Sequence, residues 1–321
     1  YKNFHEALRA VPVWITTAQA AQAIPLEPNL FDVVIIDEAS QCTITNLLPL
    51  MYRGKTLAVI GDENQLPAIP TIGQVEEQSL ANKFEIRNDL DVIGHTNNDV
   101  FKAATDSLPR RRADVTFLKE HFRSDPQIIG FSNRYIYQHR LEIQRKPDSH
   151  ERLPVPNGIH KRHVMGAAEQ GGRGRSWVNE PEAGEVIEII RSIKEGEGRS
   201  LSVGVVTPFS AQKDLLRDRL SAMQLTSEVF VDSAHGFQGD EREVMIFSPV
   251  IARGITASAC RWVESPPNLI NVALTRAQKS LYVVADFDYC RQQDGILRDL
   301  AKYVDDVQLL RDTSVAELEL F

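Results

Sequence analysis

The segment Val33-Val34-Ile35-Ile36-Asp37-Glu38-Ala39-Ser40-Gln41 sets four β-branched residues directly before two adjacent carboxylates. An apolar run without alternation reads as a strand covered on both faces, because a half-exposed strand alternates. In an open parallel sheet the ligand crevice lies beyond the C-terminal ends of the strands, which puts Asp37 and Glu38 at its mouth. One carboxylate there suits a divalent metal, and the next suits polarisation of an attacking water. Taken alone, a turn whose acids cap the following helix accounts for the pair equally well.

A second run, Leu57-Ala58-Val59-Ile60, leads into Gly61-Asp62-Glu63-Asn64-Gln65-Leu66-Pro67. Two strands that both deliver polar groups at their C-terminal ends make the functional account the better one. Further strands are expected at Val11–Thr16, Val115–Leu118, Leu201–Val206, Ser227–Val231, Glu243–Ser248 and Leu281–Ala285. Helix-period segments alternate with them, as in an α/β fold with a parallel sheet. From Glu182 to Lys194, Val186, Ile190 and Ile193 fall on one stripe behind the start signals Asn179 and Pro181. Another helix is expected after Ser210, whose hydroxyl can cap it. The stretch between Thr105 and Asp114 has no apolar period and marks a boundary, giving domains 1–108 and 109–321. Gly166–Arg175 reads as a surface loop.

The 321 residues suffice for two domains, and 42% hydrophobic with 25% charged residues fit a globular chain, not a disordered or collagenous one. No apolar run reaches the roughly 18 residues of a membrane span. Residues 1–10 hold Lys2, His5, Glu6 and Arg9, unlike a signal peptide's apolar core. Cys42, Cys260 and Cys290 stand far apart, which suits a reducing, cytoplasmic compartment and argues against a zinc site. A net charge of −8 means that any nucleic acid must be held by a local groove.

The motifs in their order resemble superfamily 1 helicases. Asp37-Glu38-Ala39-Ser40-Gln41 is similar to their motif II, and Gly61-Asp62-x-x-Gln65-Leu66-Pro67 to motif III. Leu118-x-x-His121-Phe122-Arg123-Ser124-x-Pro126 is similar to motif IV, and Val206-Thr207-Pro208-Phe209-x-x-Gln212 to a segment that touches the nucleic acid backbone. Val231-Asp232-Ser233-x-x-Gly236-Phe237-Gln238-Gly239-x-Glu241 resembles motif V, and Asn271-Val272-Ala273-Leu274-Thr275-Arg276-Ala277 motif VI. Together with Ser176-x-x-Asn179-x-x-Glu182-Ala183, these resemble the AAA-type branch that includes the nonsense-mediated-decay helicase.

The resemblance implies tandem RecA-like α/β domains, the first incomplete, that use ATP and Mg²⁺ and move on single-stranded DNA or RNA. It implies Asp37 as metal ligand, Glu38 as base, Gln65 as γ-phosphate sensor, and Arg123 and Arg276 as arginine fingers. A planar guanidinium suits that role because it gives two parallel hydrogen bonds to the charge that spreads over a leaving phosphoryl group. With these groups divided between the two blocks, the nucleotide is expected between them. Asp62, Gly239 and Glu241 are implied around the nucleotide, with Gly239 letting a backbone N–H approach a phosphate and Glu241 accepting from ribose hydroxyls. Thr17, Thr207, Pro208, Ser233 and His235 are implied at the nucleic acid.

Plainer accounts stand beside these. Arg276 could form a helix-start salt bridge, and Thr207 could cap the helix near Ser210. Phe209, Phe237 and Trp262 could stack on bases but are more often core aromatics. Arg110–Arg112 and His160–His163 read as solvated charged loops.

A P-loop, G-x-x-x-x-G-K-[ST], is absent: Gly54-Lys55-Thr56 has Pro49 where the first glycine is needed, and a strand follows it. An upstream segment of the same parent chain is therefore expected to bear the P-loop, with this chain alone hydrolysing ATP poorly. The alternative from another class is a catalytically silent nucleic-acid-binding or scaffolding module.

Overall fold

The acidic segment ends β1 (Phe31–Ile36), which pairs in parallel with β2 (Gly54–Val59), Val34 opposite Leu57 and Ile36 opposite Val59. The computed structural model describes residues 2–108, 115–145, 155–171 and 176–318, and the chain divides into two compact units, Tyr1–Phe117 and Leu118–Phe321. The boundary expected at 108/109 and the Arg110–Arg112 run adjoin or fall within residues 109–114, outside the described residues.

In the first unit, α1 (Ile44–Tyr52) and α2 (Val100–Ser107) cover one face of the strand pair, burying Ile36, Ala39, Ile44, Leu47 and Val100 together. Asp99 caps α2 by accepting the Lys102 N–H at 2.7 Å. The other face of β1 is open, with Val33 52% and Ile35 66% exposed. The expected two-sided burial of this strand is therefore corrected, since among the described residues nothing lies over that face. Val11–Thr16 likewise forms no strand. Its alternating Val11, Val13 and Ile15 are exposed because no strand is paired with them.

The second unit is built on a five-stranded sheet of β3 (Gly158–His163), β4 (Val203–Val206), β5 (Val229–Asp232), β6 (Arg242–Phe247) and β7 (Ala277–Ala285). Its order is β3-β7-β6-β4-β5 and every pairing is parallel. The helices that matter below are α3 (Pro126–Tyr135), α4 (Glu180–Glu195), α5 (Ser210–Ala222), α6 (Ala257–Glu264), α7 (Asn268–Thr275) and α8 (Ile296–Leu318). Val186, Ile190 and Ile193 of α4 and Leu216 and Leu220 of α5 pack on Val203, Val205, Val231, Val244 and Ile246. The stripe read from the sequence is this contact, and Asn179 caps it by accepting the Glu182 N–H at 3.2 Å.

Several local expectations are corrected. His160–His163 is no loop but most of edge strand β3: His160 stacks on Tyr282 with ring centroids 4.8 Å apart, and Lys161 pairs with Asp305 at 2.5 Å. An edge strand with neighbours for its polar side chains tolerates such a charged sequence. Glu169–Gly171, assigned to a loop, pairs antiparallel with Ser176–Val178, while residues 172–175 are outside the description. Val115–Leu118 forms no strand; the pairing there joins Glu120–His121 to Glu142–Ile143. The helix after Phe209 is not capped by Ser210. Instead, the Ala211 N–H donates to the Ser176 hydroxyl at 3.1 Å, so a distant serine satisfies that helix end.

Gly204 in β4 lies under Phe237, and an added Cβ would sit 2.6 Å from Met245 Sδ and 2.8 Å from Phe237 Cε1. Both neighbours are fully buried. Gly204→Ala should therefore destabilise the chain by about 1–3 kcal/mol through overpacking. Urea denaturation measures this, and an unchanged midpoint would show that the sheet relaxes around the methyl group.

Candidate functional site

In the first unit the backbone ladder brings the two polar strand ends side by side. The Ile60 N–H donates to Ile36 O and the Ala39 N–H to Ile60 O, each at 2.8 Å, so the segments after β1 and β2 run on as neighbours. Glu38 holds a left-handed conformation, φ 51° and ψ 40°. Non-glycine residues adopt it at a cost and concentrate at functional sites. Its carboxylate accepts from Gln41 Nε2 at 2.8 Å, and Asp37 Oδ1 accepts the Glu38 N–H at 2.9 Å. Asp62 shapes the second turn, accepting the Asn64 N–H at 2.9 Å on its side chain and the Gln65 N–H at 3.1 Å on its carbonyl. Asp37 is exposed and offers hard oxygen ligands, the donor set that fits Mg²⁺ with waters and phosphate completing the shell. Thr17 stands beside Ala18, which packs against the cluster of Ile36 and Ala39. Its hydroxyl accepts the Ala20 N–H at 3.1 Å and so starts a short 3₁₀ turn.

In the second unit, residues far apart in sequence converge. Arg123 Nε meets Glu241 at 2.5 Å, and Gln278 Nε2 donates to the other Glu241 oxygen at 2.7 Å. The Arg242 N–H donates to Arg276 O at 3.0 Å, which ties the motif V strand to the motif VI arginine. Arg276 is buried, and its charge adds to the hydrogen bond from Arg242 that chiefly holds Asp240 below the usual carboxylate range. Asn271 Nδ2 donates to the Tyr137 hydroxyl at 3.0 Å, joining α7 to the turn that ends α3.

The loop that presents Arg123 is built on His121, whose Nε2 accepts the Ser124 N–H at 3.0 Å. Burial, followed by the charges of Arg123 and Arg145, pushes the His121 pKa down to about 4, so the ring is a neutral acceptor at ordinary pH. Arg145 donates to both the Arg123 and the Gln278 carbonyls. No sequence signal pointed to Arg145, because a lone arginine in a linker carries none.

Three neighbouring strands, β5, β4 and β6, bring the remaining candidates to one edge. The Thr207 N–H donates to Asp232 O at 3.2 Å and the Ser248 N–H to Val206 O at 3.0 Å. Thr207 and Pro208 are buried, and among the described residues the Thr207 hydroxyl has no hydrogen-bond partner. It does not cap the helix after it. Ser233 and His235 are half-buried, and burial lowers the His235 pKa. Gly239 has φ +74° with open space where a Cβ would point, so the conformation demands glycine and the backbone there is approachable. Phe237 and Phe209 are core residues, as expected, but Trp262 is 52% exposed. Cys260 and Cys290 are buried, and Cys42 partly so.

Glu182, quoted in the sequence motif without a role, is the main residue whose part only the structure shows. It is fully buried, accepting from Ser248 Oγ at 2.6 Å, the Val250 N–H at 2.9 Å and Asn179 Nδ2 at 3.2 Å. Gln212 closes the network: its Oε1 accepts the Asn179 N–H at 2.9 Å and its Nε2 donates to Ser248 Oγ at 3.2 Å. The spacing Asn179-x-x-Glu182 is that of a capping box, yet the acid bonds the Asn179 side-chain amide and the end of β6, while the Asn179 backbone N–H goes to Gln212. It holds Val250, a β-branched residue at φ +62°.

Two family models, each described as an AAA domain, match residues 97–288 and 2–71. An uncharacterized ATP-dependent helicase of Mycoplasma pneumoniae is 27% identical over 303 residues, which cover 87% of this chain and 25% of that protein. Helicase SEN1 of Saccharomyces cerevisiae is 28% identical over 268 residues, 79% of this chain and 11% of that protein. The chain spans a quarter or less of the length of these two curated relatives. The structure of PRRSV helicase aligns with 78% of this chain and 34% of that chain at 15% identity and a TM-score of 0.38.

Burial pushes the Glu182 pKa from 4.5 up to about 8. Below 4.5 the folded and unfolded chains both hold this proton. Between 4.5 and 8 only the folded chain keeps it, so the contribution of Glu182 to stability falls as pH rises through that window. His121 and His160, both lowered to about 4 by burial first, act in the opposite sense between 4 and 6.5. Comparing wild type with Glu182→Gln cancels the histidines. Urea midpoints from pH 5 to 8 should fall more steeply in wild type than in the variant, and equal slopes would mean that Glu182 is ionised in the fold.

Proposed function

Because the chain belongs to the AAA-domain family and is similar to helicase SEN1, we propose that it is the motor portion of an ATP-dependent superfamily 1 helicase or translocase of the Sen1 type acting on single-stranded DNA or RNA. The observation that carries this reading is the convergence in the second unit. Arg123, Glu241 and Arg276 come from three separate motifs, and Glu241 is bonded to Arg123 while the strand that follows it is bonded to Arg276.

The first unit contributes Asp37 to Mg²⁺, Glu38 to the attacking water and Gln65 to the γ-phosphate. Bound Mg²⁺ supplies charge neutralisation on the phosphates. Glu38, with one oxygen engaged by Gln41, keeps the other for the water it orients. The second unit contributes the guanidinium groups of Arg123 and Arg276, Glu241 for ribose hydroxyls and the Gly239 backbone for a phosphate. The Arg123–Glu241 pair shows this guanidinium already meeting an anion, the kind of contact it would make to a phosphate. Ser233 and His235 line the strand-end edge that takes the nucleic acid backbone, with Thr207 and Pro208 buried at that same edge.

The P-loop motif is not among these 321 residues, so the reading includes a P-loop-bearing segment of the parent chain. In that parent, ATP hydrolysis should be stimulated by single strands. Glu38→Gln and Arg276→Ala should each lower its kcat by roughly 10³-fold or more while strand binding persists. Strand binding by the parent without turnover would instead identify a silent binding module. The 321-residue chain by itself should bind single strands with an affinity that falls steeply with salt, and should show little ATP turnover.

A further inference from the structure

Trp262 has no place in the reading above, and its setting calls for one. Helix α6 is started by Thr256, whose hydroxyl accepts the Ala259 N–H at 3.3 Å. From that start, Cys260 and Val263 fall inward and are buried. Arg261 and Trp262 therefore fall outward and are exposed. The inner face is already filled, so the indole is surplus to the core.

It is nevertheless not loose. The Trp262 ring packs on Phe209, with centroids 5.6 Å apart and planes at 46°, and still leaves 52% of the residue exposed. Phe209 is itself buried and stands two residues beyond Thr207, at the end of β4. The exposed indole is thus anchored to the same strand-end edge that carries Thr207, Pro208 and Ser233.

The stretch of chain before and around Trp262 is basic. Residues 249–263 include Arg253 and Arg261 and no acidic residue. Both arginines are exposed, and neither makes an ion pair among the described residues. The next acid, Glu264, is only part-exposed: its carboxylate accepts the Leu297 N–H at 3.4 Å and lies 3.9 Å from Cys260 Sγ. An exposed aromatic within a basic stretch of a molecule of net charge −8 is complementary to a polyanion that carries flat rings.

We propose that Trp262 is a stacking platform for one base of a bound single strand, with Arg253 and Arg261 engaging the adjoining phosphates. The proposal rests on the nucleic-acid reading of the second unit. Stacking requires only a π-face, so the contact is indifferent to base identity and suits a motor that passes over any sequence. The Phe209 contact fixes the indole before binding, which limits the ordering cost.

The test uses fluorescence anisotropy of the 321-residue chain with a labelled oligothymidylate of about 20 nucleotides and with an abasic strand of equal length. Trp262→Ala should weaken oligothymidylate binding by roughly tenfold, Trp262→Phe should restore most of it, and neither should change abasic-strand binding. Replacing Arg253 and Arg261 by Ala should reduce the salt slope on both strands by roughly one phosphate contact each. In a Trp14→Phe/Trp177→Phe background, strand binding should quench the remaining indole. Equal oligothymidylate affinity of wild type and Trp262→Ala, or equal loss on both strands, overturns the stacking role and leaves the nucleic-acid reading intact. Failure of the wild type to bind either strand overturns that reading, and the platform with it.

Discussion

Parallel pairing is the constraint from which the candidate sites follow. When β3, β7, β6, β4 and β5 all run the same way, each must be followed by a crossover, and each C-terminal end opens on the same edge. The register places Phe247 opposite Val206 and Val206 opposite Asp232. Thr207, Ser233 and Ser248 therefore emerge together although they lie far apart in the chain. In the first unit the pairing of Ile36 with Val59 does the same for the carboxylates after β1 and the Asp62–Gln65 turn after β2. An antiparallel arrangement of the same strands would send alternate polar ends to opposite edges.

An edge assembled from strand ends still needs its loops held, and in the second unit buried polar groups do this. Asn179, Glu182, Gln212 and Ser248 bond one another at the starts of α4 and α5 and the end of β6. Removing one member would strand the others without water, so such a network specifies one arrangement of the loops. It also supports the left-handed backbone at Val250, a conformation a valine adopts only when its surroundings impose it. Arg145 and His121 brace the Arg123 loop in a comparable way, with a neutral imidazole accepting and a guanidinium donating to carbonyls.

The two units differ in how far burial supports them. Strands β4 and β6 are covered on both faces, and the arginine-bearing loops rest on that core. Strands β1 and β2 are covered on one face, leaving Val33 and Ile35 exposed on the other. A run of β-branched residues states a preference for two-sided burial, and only neighbouring elements can satisfy it.

The sequence by itself determined the α/β class, most strands of the main sheet, the stripe and cap of the helix beginning near Asn179, and the order of the motifs. These are legible because hydrophobic period, capping residues and motif spacing are local properties of the chain. It misread what depends on neighbours. His160–His163 looks like a solvated run because the partners of its polar groups, Tyr282 and Asp305, lie more than a hundred residues away. Ser210 was expected to cap a helix that Ser176 satisfies, Trp262 was assigned to a core that Cys260 and Val263 already fill, and Val11–Thr16 was given strand character with no strand to pair with it. Tertiary structure alone decided that Glu182 is buried and its pKa raised, that Arg123 rests on Glu241, and that Thr207 is covered. A side chain's charge state and exposure are set by the dielectric and the partners around it, and those are supplied by residues remote in sequence.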